Sequence, residues 1–186
     1  MKTNILPAVK LTLVFIIFFM GIYTLAILGV AQMAPNNGKG FMVEANGKKY
    51  YENIAQNFSD DKYFWSRPSA VNYNAAGSGG SNKGPSNPDY LAQVQARIDS
   101  FMVHNPDINK SEIPSDIVTA SGSGEDPNIS VQGALVQIPR IAKSRNIPEE
   151  NLKMLVSMNT EEPLLGLFGT EKINVLKLNI ALENLK

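Results

Sequence analysis

The feature that most limits what this chain can fold into is an apolar run near its N-terminus. From Leu11 to Ala31 the sequence carries no charged side chain. About 20 apolar residues are enough to cross the hydrocarbon core of a bilayer. A helix is the only single segment that satisfies its own backbone hydrogen bonds there. The sequence therefore predicts a short N-terminal segment (1–10), a transmembrane helix (11–31), a linker (32–40) and a single domain (41–186).

Charges on either side of this run predict its orientation. Lys2 and Lys10 lie before it, and the next charged residue is Lys39. Under the positive-inside rule the N-terminus stays in the cytoplasm and the C-terminal domain is extracytoplasmic, in a single-pass protein of the cell membrane. The alternative is a cleaved signal peptide, whose apolar core usually spans only about 7–15 residues. The longer run and the poor cleavage context at Gln32-Met33-Ala34 favour a retained anchor in the lipid bilayer.

Composition excludes several classes of function. The 17 Lys and Arg residues balance 17 Asp and Glu, so no excess positive charge favours nucleic acid. Cysteine is absent, which removes disulfides and thiolate metal ligands. Neither a phosphate-binding Gly-x-x-x-x-Gly-Lys-Ser/Thr loop nor the Asp-Lys-Thr-Gly sequence of phosphorylated transport ATPases is present. We expect no catalytic site, no metal site and no bound cofactor in this chain.

The domain begins with a β-hairpin pattern and an aromatic segment. Asn46-Gly47 separates two short segments with β-compatible residues, as in a two-residue turn. Residues 60–73 follow, with four aromatic side chains and with Pro68, which prevents a regular helix. We expect this segment to be buried or interfacial, with Arg67 stacked on a ring or in a charged hydrogen bond.

The rest of the domain predicts helices with one further strand. Asn87, Ser130 and Asn174 are placed to cap amphipathic helices, and Pro139 should kink or divide the second of these. A further helix should begin at Pro148 and end at Glu162-Pro163. Residues 113–120 have the pattern of a short strand. The predicted fold is therefore α+β, a small mixed α/β domain on one membrane helix.

Two polar, glycine-rich blocks, residues 77–88 and 118–127, are the least ordinary part of the domain. Gly122-Ser123-Gly124 could be part of a phosphate-binding loop or carry a serine nucleophile. Its spacing, however, matches neither Gly-x-Gly-x-x-Gly nor Gly-x-Ser-x-Gly. A hydrolase would require His104, the only histidine, beside Ser121 or Ser123. A structural role, with glycine at positive φ and short polar side chains on the backbone, is the simpler interpretation. The other interpretation is that the two blocks form a surface that faces a partner protein.

These blocks also carry a resemblance to a known family. Several segments, in the same order, resemble the KdpC family, the C chains of Kdp potassium-transporting ATPases: Arg67-Pro68-Ser69, Ser78-Gly79-Gly80-Ser81-Asn82, Ser86-Asn87-Pro88, Val118-Thr119-Ala120-Ser121, Gln137-Ile138-Pro139-Arg140 and Asn174-Val175. The resemblance covers nearly the whole chain. Lys83 and Pro148 depart from the residues usual in that family.

The resemblance implies an accessory subunit of an ATP-driven, high-affinity potassium uptake complex. Its partners would be an ion-conducting A chain, an ATP-hydrolysing B chain and a small F chain. It would stabilise their assembly and act as a catalytic chaperone that raises the ATP affinity of the B chain. ATP and potassium would then belong to the complex. A freestanding membrane-anchored binding protein for an external ligand is the alternative.

The resemblance also marks a set of motif residues as candidates for partner binding. They are Arg67, Ser78, Ser81, Asn82, Asn87, Thr119, Ser121, Ser123, Asp126, Gln137 and Arg140. An extracytoplasmic domain cannot touch cytoplasmic ATP. Any effect on ATP affinity would therefore have to pass through the membrane part as a coupling free energy.

Overall fold

A computed structural model describes residues 4–185, which divide into two compact units with the boundary after Met42. The first unit contains a helix of 28 residues from Asn4 to Ala31, with a mean hydropathy of 2.6 over its most apolar window. Its length and composition suit a membrane span. It begins before the uncharged run, and Pro7 is tolerated because it lies in the first helical turn, where an N–H has no intrahelical acceptor.

This helix changes its hydrogen-bond pattern near its middle. It consists of α1 (Ile5–Ile16), a π-helical stretch (Ile17–Tyr23) and α2 (Thr24–Ala31). The Thr24 hydroxyl donates to the Phe19 carbonyl over 2.9 Å, five residues back. A short 3-10 turn (Pro35–Gly38) follows, in which Asn36 and Asn37 have positive φ.

The second unit, called the body here, opens with the predicted hairpin. Strands β1 (Met42–Ala45) and β2 (Lys48–Tyr51) form a two-stranded sheet. The turn residues Asn46 and Gly47 have φ of 52° and 71°. Positive φ at both central residues is what a two-residue turn of this kind requires, so the hairpin prediction is confirmed.

Between residues 52 and 87 the chain is irregular, and helices dominate after it. In order they are α3 (Pro88–His104), a 3-10 turn (Lys110–Glu112), α4 (Ser115–Val118), α5 (Val131–Leu135), α6 (Ile138–Arg145), α7 (Glu149–Met158) and α8 (Val175–Glu183). Strands β3 (Asn128–Ile129), β4 (Thr160–Glu161) and β5 (Lys172–Asn174) form an antiparallel sheet of order β3-β5-β4. Ile173 lies opposite both Ile129 and Thr160. The α+β prediction is confirmed.

The three predicted caps are confirmed by their hydrogen bonds. The side chains of Asn87, Ser130 and Asn174 accept from the backbone N–H three residues on, at 2.9–3.1 Å. Pro139 does divide the second predicted helix, since α5 ends at Leu135 and α6 begins at Ile138. Proline is accepted there because it occupies the first turn of α6.

Two sequence-based expectations are wrong. The strand predicted over residues 113–120 is the short helix α4, because Pro114 supplies an extended residue before it and Ser115 accepts from Thr119 at the other end. Helix α7 ends at Met158, before Glu162-Pro163. Thr160 and Glu161 pair with β5 as strand β4, and tertiary pairing of this kind overrides helical propensity.

One hydrophobic core underlies the body. Its fully buried members come from the irregular segment, the helices and the sheet: Phe64, Ile138, Ile141, Leu152, Val156, Ile173, Val175, Leu178 and Leu182. Phe64 belongs to the segment without helix or strand, so this segment also contributes to the core.

Candidate functional site

A buried asparagine, Asn179, binds the backbone of the aromatic segment. Asn179, on the inner face of α8, accepts the Phe64 N–H over 2.9 Å and donates to the Phe64 carbonyl over 2.9 Å. Both groups are buried. One side-chain amide thus takes the place of a backbone partner in this irregular segment, and the buried polar groups of Phe64 stay satisfied.

Gln137 does the same for the next residue. Its Oε1 accepts the Trp65 N–H over 2.7 Å, and its Nε2 donates to the carbonyls of Gly133 and Trp65 over 2.8 and 3.4 Å. Arg140, one turn further along, donates from Nη2 to the same Gln137 Oε1 and to the Tyr63 carbonyl over 2.7 and 3.0 Å. Residues 63–65 are therefore bound by three side chains from α8 and the α5–α6 region.

Arg140 is a buried charge with several kinds of partner. Its guanidinium carbon lies 4.1 Å from the centre of the Trp65 ring, and Asp61 lies 3.5 Å from Nη1. Burial lowers the pKa of Arg140 to about 10, and the nearby carboxylate of Asp61 opposes this shift. The residue remains charged at neutral pH. The Asp61 carboxylate also contacts Nδ1 of His104 at 2.8 Å.

A second cluster surrounds Arg67. Its Nη1 donates to Asp126 Oδ2 over 2.8 Å, which confirms the charged hydrogen bond predicted for this arginine. The other Asp126 oxygen accepts from the backbone and side chain of Asn128 over 3.0 and 3.2 Å. The Tyr73 hydroxyl donates to the Arg67 carbonyl over 2.7 Å. Burial raises the pKa of Tyr73, so this hydroxyl stays a donor at neutral pH.

The two glycine-rich blocks contact each other directly. The Gly79 N–H and the Ser78 hydroxyl both donate to the Ser123 carbonyl, over 2.9 and 3.1 Å. A Cβ at Gly124 would lie 2.8 Å from the Gly79 carbonyl oxygen, and Gly124 has φ of +71°. A Cβ at Gly80 would lie 3.0 Å from the Gly122 oxygen. Glycine is required here by a close approach of two backbones.

The eleven candidate residues do not form one surface. Arg67, Ser78, Ser121, Ser123 and Asp126 come together at the junction of the two blocks. Gln137 and Arg140 belong to the buried cluster beneath the aromatic segment. Asn87 caps α3, and the Thr119 hydroxyl donates to the Ser115 carbonyl within its own turn. Ser81 and Asn82 are exposed.

The hydrogen bonds of the serines are structural in kind. Ser121 Oγ accepts from the Asp126 N–H over 3.4 Å, and Ser123 Oγ accepts from the Glu125 N–H over 3.1 Å. In residues 4–185, His104 has its ring hydrogen bond with Asp61 and none with either serine. Across the same residues no group of three or more His, Cys, Asp or Glu side chains could hold a metal ion.

Two features of the body escaped the sequence-based reasoning. Asn179 was a helical position without an assigned role, and its partner lies 115 residues away. The other is the apolar stretch Leu164-Leu165-Gly166-Leu167-Phe168, which the sequence indicated only as the region after a helix end. Four apolar side chains beside glycine and proline, with no charge among them, were the available signal.

Comparison with known proteins covers almost the whole chain. Residues 5–184 match the model of the family described as KdpC, the K+-transporting ATPase c chain. The chain is 55% identical to a potassium-transporting ATPase KdpC subunit of Flavobacterium psychrophilum, over 98% of this chain and 99% of that protein. It is 50% identical to the Bacteroides fragilis subunit of the same name, over 100% and 99%. For the subunit from Caldanaerobacter subterraneus the identity is 44%, over 98% and 95%.

Proposed function

Because the chain belongs to the KdpC family of K+-transporting ATPase c chains, we propose that its body lies outside the cytoplasmic membrane and docks on the ion-conducting A chain. Docked there, it stabilises the assembly with the ATP-hydrolysing B chain and the small F chain. It acts as a catalytic chaperone that raises the ATP affinity of the B chain and catalyses no reaction itself. The observation that carries the proposal is the family match over residues 5–184, motif residues included.

The architecture supports this role. One apolar helix long enough to span a bilayer precedes a body in which buried side chains fix the irregular segment. Loops on a body held by buried hydrogen bonds of this kind can bind a partner at a smaller cost in conformational entropy than free loops. An effect on ATP binding across the membrane is a coupling free energy, and a tenfold change in affinity needs only about 1.4 kcal/mol.

The subunit role is tested by co-purification. The full chain with a C-terminal tag is recovered in mild detergent from membranes of potassium-starved cells. Mass spectrometry and an ATPase assay with and without potassium follow. We expect the larger ATPase chains in the eluate and hydrolysis stimulated by potassium. Recovery of this chain alone, from membranes in which those chains are present and intact, would contradict the proposal.

The orientation has its own test, because the chain contains no cysteine. A single cysteine is introduced at exposed Met154 or, in a separate variant, at Asn4. We expect a membrane-impermeant maleimide to label Met154→Cys in intact cells, whereas Asn4→Cys is labelled only after lysis. The reverse pattern would place the body in the cytoplasm.

The freestanding binding protein keeps one observation in its favour. A cleft of about 500 Å³ lies between the β1–β2 hairpin and α8, lined by residues that include Glu44, Tyr50, Tyr63 and Ile180. A volume of this size suits a small ligand. Recovery of the chain alone in the co-purification above would direct ligand screening to this cleft.

A further inference from the structure

The most exposed apolar segment of the body is the loop between β4 and β5. The side chains of Leu164, Leu165, Leu167 and Phe168 are 69%, 81%, 80% and 64% exposed. No charged residue lies between Pro163 and Thr170. Soluble proteins rarely expose apolar side chains in such a contiguous patch unless something binds there. Residues 163–170 are called the apolar hairpin below.

The backbone holds the apolar hairpin in a defined shape. The Leu164 N–H donates to the Phe168 carbonyl over 2.9 Å, and the Phe168 N–H donates to the Leu164 carbonyl over 3.0 Å. Leu165 has φ of +57° and Gly166 has φ of +70°. Positive φ is costly for leucine, and strain of this kind collects at functional sites. The leucines at the tip are exposed, and the positive φ of Leu165 is an additional conformational cost.

The flanks of the apolar hairpin carry three carboxylates and two lysines, a net negative charge that limits what can cover it. Glu161 and Glu162 precede it and Glu171 follows it. Glu161 pairs with Lys172 and Lys177 at 3.6 and 3.8 Å, whereas Glu162 and Glu171 have no ion pair within residues 4–185. A second copy would bring like charges together, and anionic lipid headgroups would repel the same carboxylates.

We propose that the apolar hairpin inserts into an apolar recess, with a basic or neutral rim, on the membrane subunit against which the body docks. This inference rests on the proposed function and names the docking element. The family description makes the chain one of several in an ATPase, so a protein partner is at hand. Burial of leucine and phenylalanine side chains is strongly favourable, so a short apolar loop can dominate the contact.

The first test removes the apolar side chains and keeps the fold. In the full chain, Leu165→Ser, Leu167→Ser and Phe168→Ser are combined. We expect recovery of the larger ATPase chains in mild detergent to fall at least tenfold, with an unchanged circular dichroism melting curve. Val103→Ser, at an exposed apolar position on α3, is the matched control and should leave recovery unchanged.

The second test identifies the occupant. A photo-reactive benzoylphenylalanine replaces Leu165, or Val103 as the control, in native membranes. An adduct between position 165 and a larger ATPase chain, absent at position 103, supports the inference. Adducts only with lipid or only with a second copy would overturn it, and so would full recovery of the ATPase chains by the triple variant. Wild-type chain that recovers no ATPase chain would refute the subunit role itself, and the hairpin inference with it.

Discussion

Two loop regions of the body differ in what their side chains contact. The polar scaffold consists of residues 63–80 and 118–128 together with Gln137, Arg140 and Asn179, and many of its polar groups form hydrogen bonds with one another. The apolar hairpin, residues 163–170, directs four apolar side chains outward. Polarity alone therefore does not tell which loop faces a partner. Many polar groups of the polar scaffold form hydrogen bonds within the body, whereas the four apolar side chains of the apolar hairpin are exposed.

The largest expected effect comes from the buried amide beneath the scaffold. In Asn179→Ala the buried N–H and carbonyl of Phe64 lose the one side chain that binds them among residues 4–185. An unsatisfied buried group costs about 1–3 kcal/mol. We expect the free energy of unfolding to fall by about 2–4 kcal/mol in chemical denaturation of the detergent-purified chain.

Asn184→Ala, at the exposed C-terminal end of α8, is the control and should change stability by less than about 0.5 kcal/mol. A loss below about 1 kcal/mol in Asn179→Ala would show that the hydrogen bonds of Asn179 with the Phe64 backbone contribute little to the stability of the polar scaffold.

The contact between the glycine-rich blocks can be broken at Gly124. In Gly124→Ala the new Cβ meets the Gly79 carbonyl oxygen at 2.8 Å and a Val71 methyl at 2.7 Å, at φ of +71°. We expect a loss of about 2–3 kcal/mol by the same denaturation measurement.

Gly47→Ala separates the two causes, because Gly47 has the same φ of +71° and nothing within 4 Å of its Cβ position. It should lose only about 1 kcal/mol, from the backbone conformation alone. Equal losses in the two variants would show that the blocks do not press on each other.

A smaller effect is expected for the ion pair at the junction. Arg67→Met, Asp126→Asn and the double variant form a cycle across the 2.8 Å contact. Because both side chains are partly buried, we expect a coupling energy of about 1 kcal/mol in the unfolding free energies. A coupling near zero would assign the stability of this junction to Asn128 and the backbone.

The ion pair between Arg145 and Glu183 should give a still smaller, pH-dependent effect on stability. A hydrogen bond from Arg145 holds the pKa of Glu183 below its ordinary value of 4.5. The stabilisation is therefore full above that ordinary value and is lost as the pH falls through the lowered pKa. Because Glu183 is exposed, we expect only a few tenths of a kcal/mol. Denaturation curves at pH 7 and pH 3 measure it, and Glu183→Gln should remove it.

The smallest effect on stability is expected at the apolar hairpin. The variant with serine at 165, 167 and 168 loses no buried contact, so its unfolding free energy should stay within about 0.5 kcal/mol of the wild type. Chemical denaturation again measures it. A loss comparable to that of Asn179→Ala would show that the side chains of the apolar hairpin pack on the body and are not free for a partner.

Local chemistry explains what the sequence could predict. The caps at Asn87, Ser130 and Asn174 and the turn at Asn46-Gly47 depend on residues within three positions of each other. The pairing partner of Arg67 and the role of Asn179 depend on contacts 59 and 115 residues apart, which no local pattern encodes. The strand predicted over residues 113–120 failed for the related reason that α4 is fixed by neighbours, among them Ser130, which donates to Asp116.

We propose that this chain raises the ATP affinity of the ATPase of which it is a subunit and catalyses no reaction itself. The most direct measurement is potassium-stimulated ATP hydrolysis by the larger subunits, purified without this chain, as a function of ATP concentration before and after the full chain is added. We expect the addition to lower the KM for ATP, and the triple hairpin variant to leave the KM unchanged at equal concentration. A KM that does not change when the wild-type chain is bound would refute the proposed effect on ATP affinity.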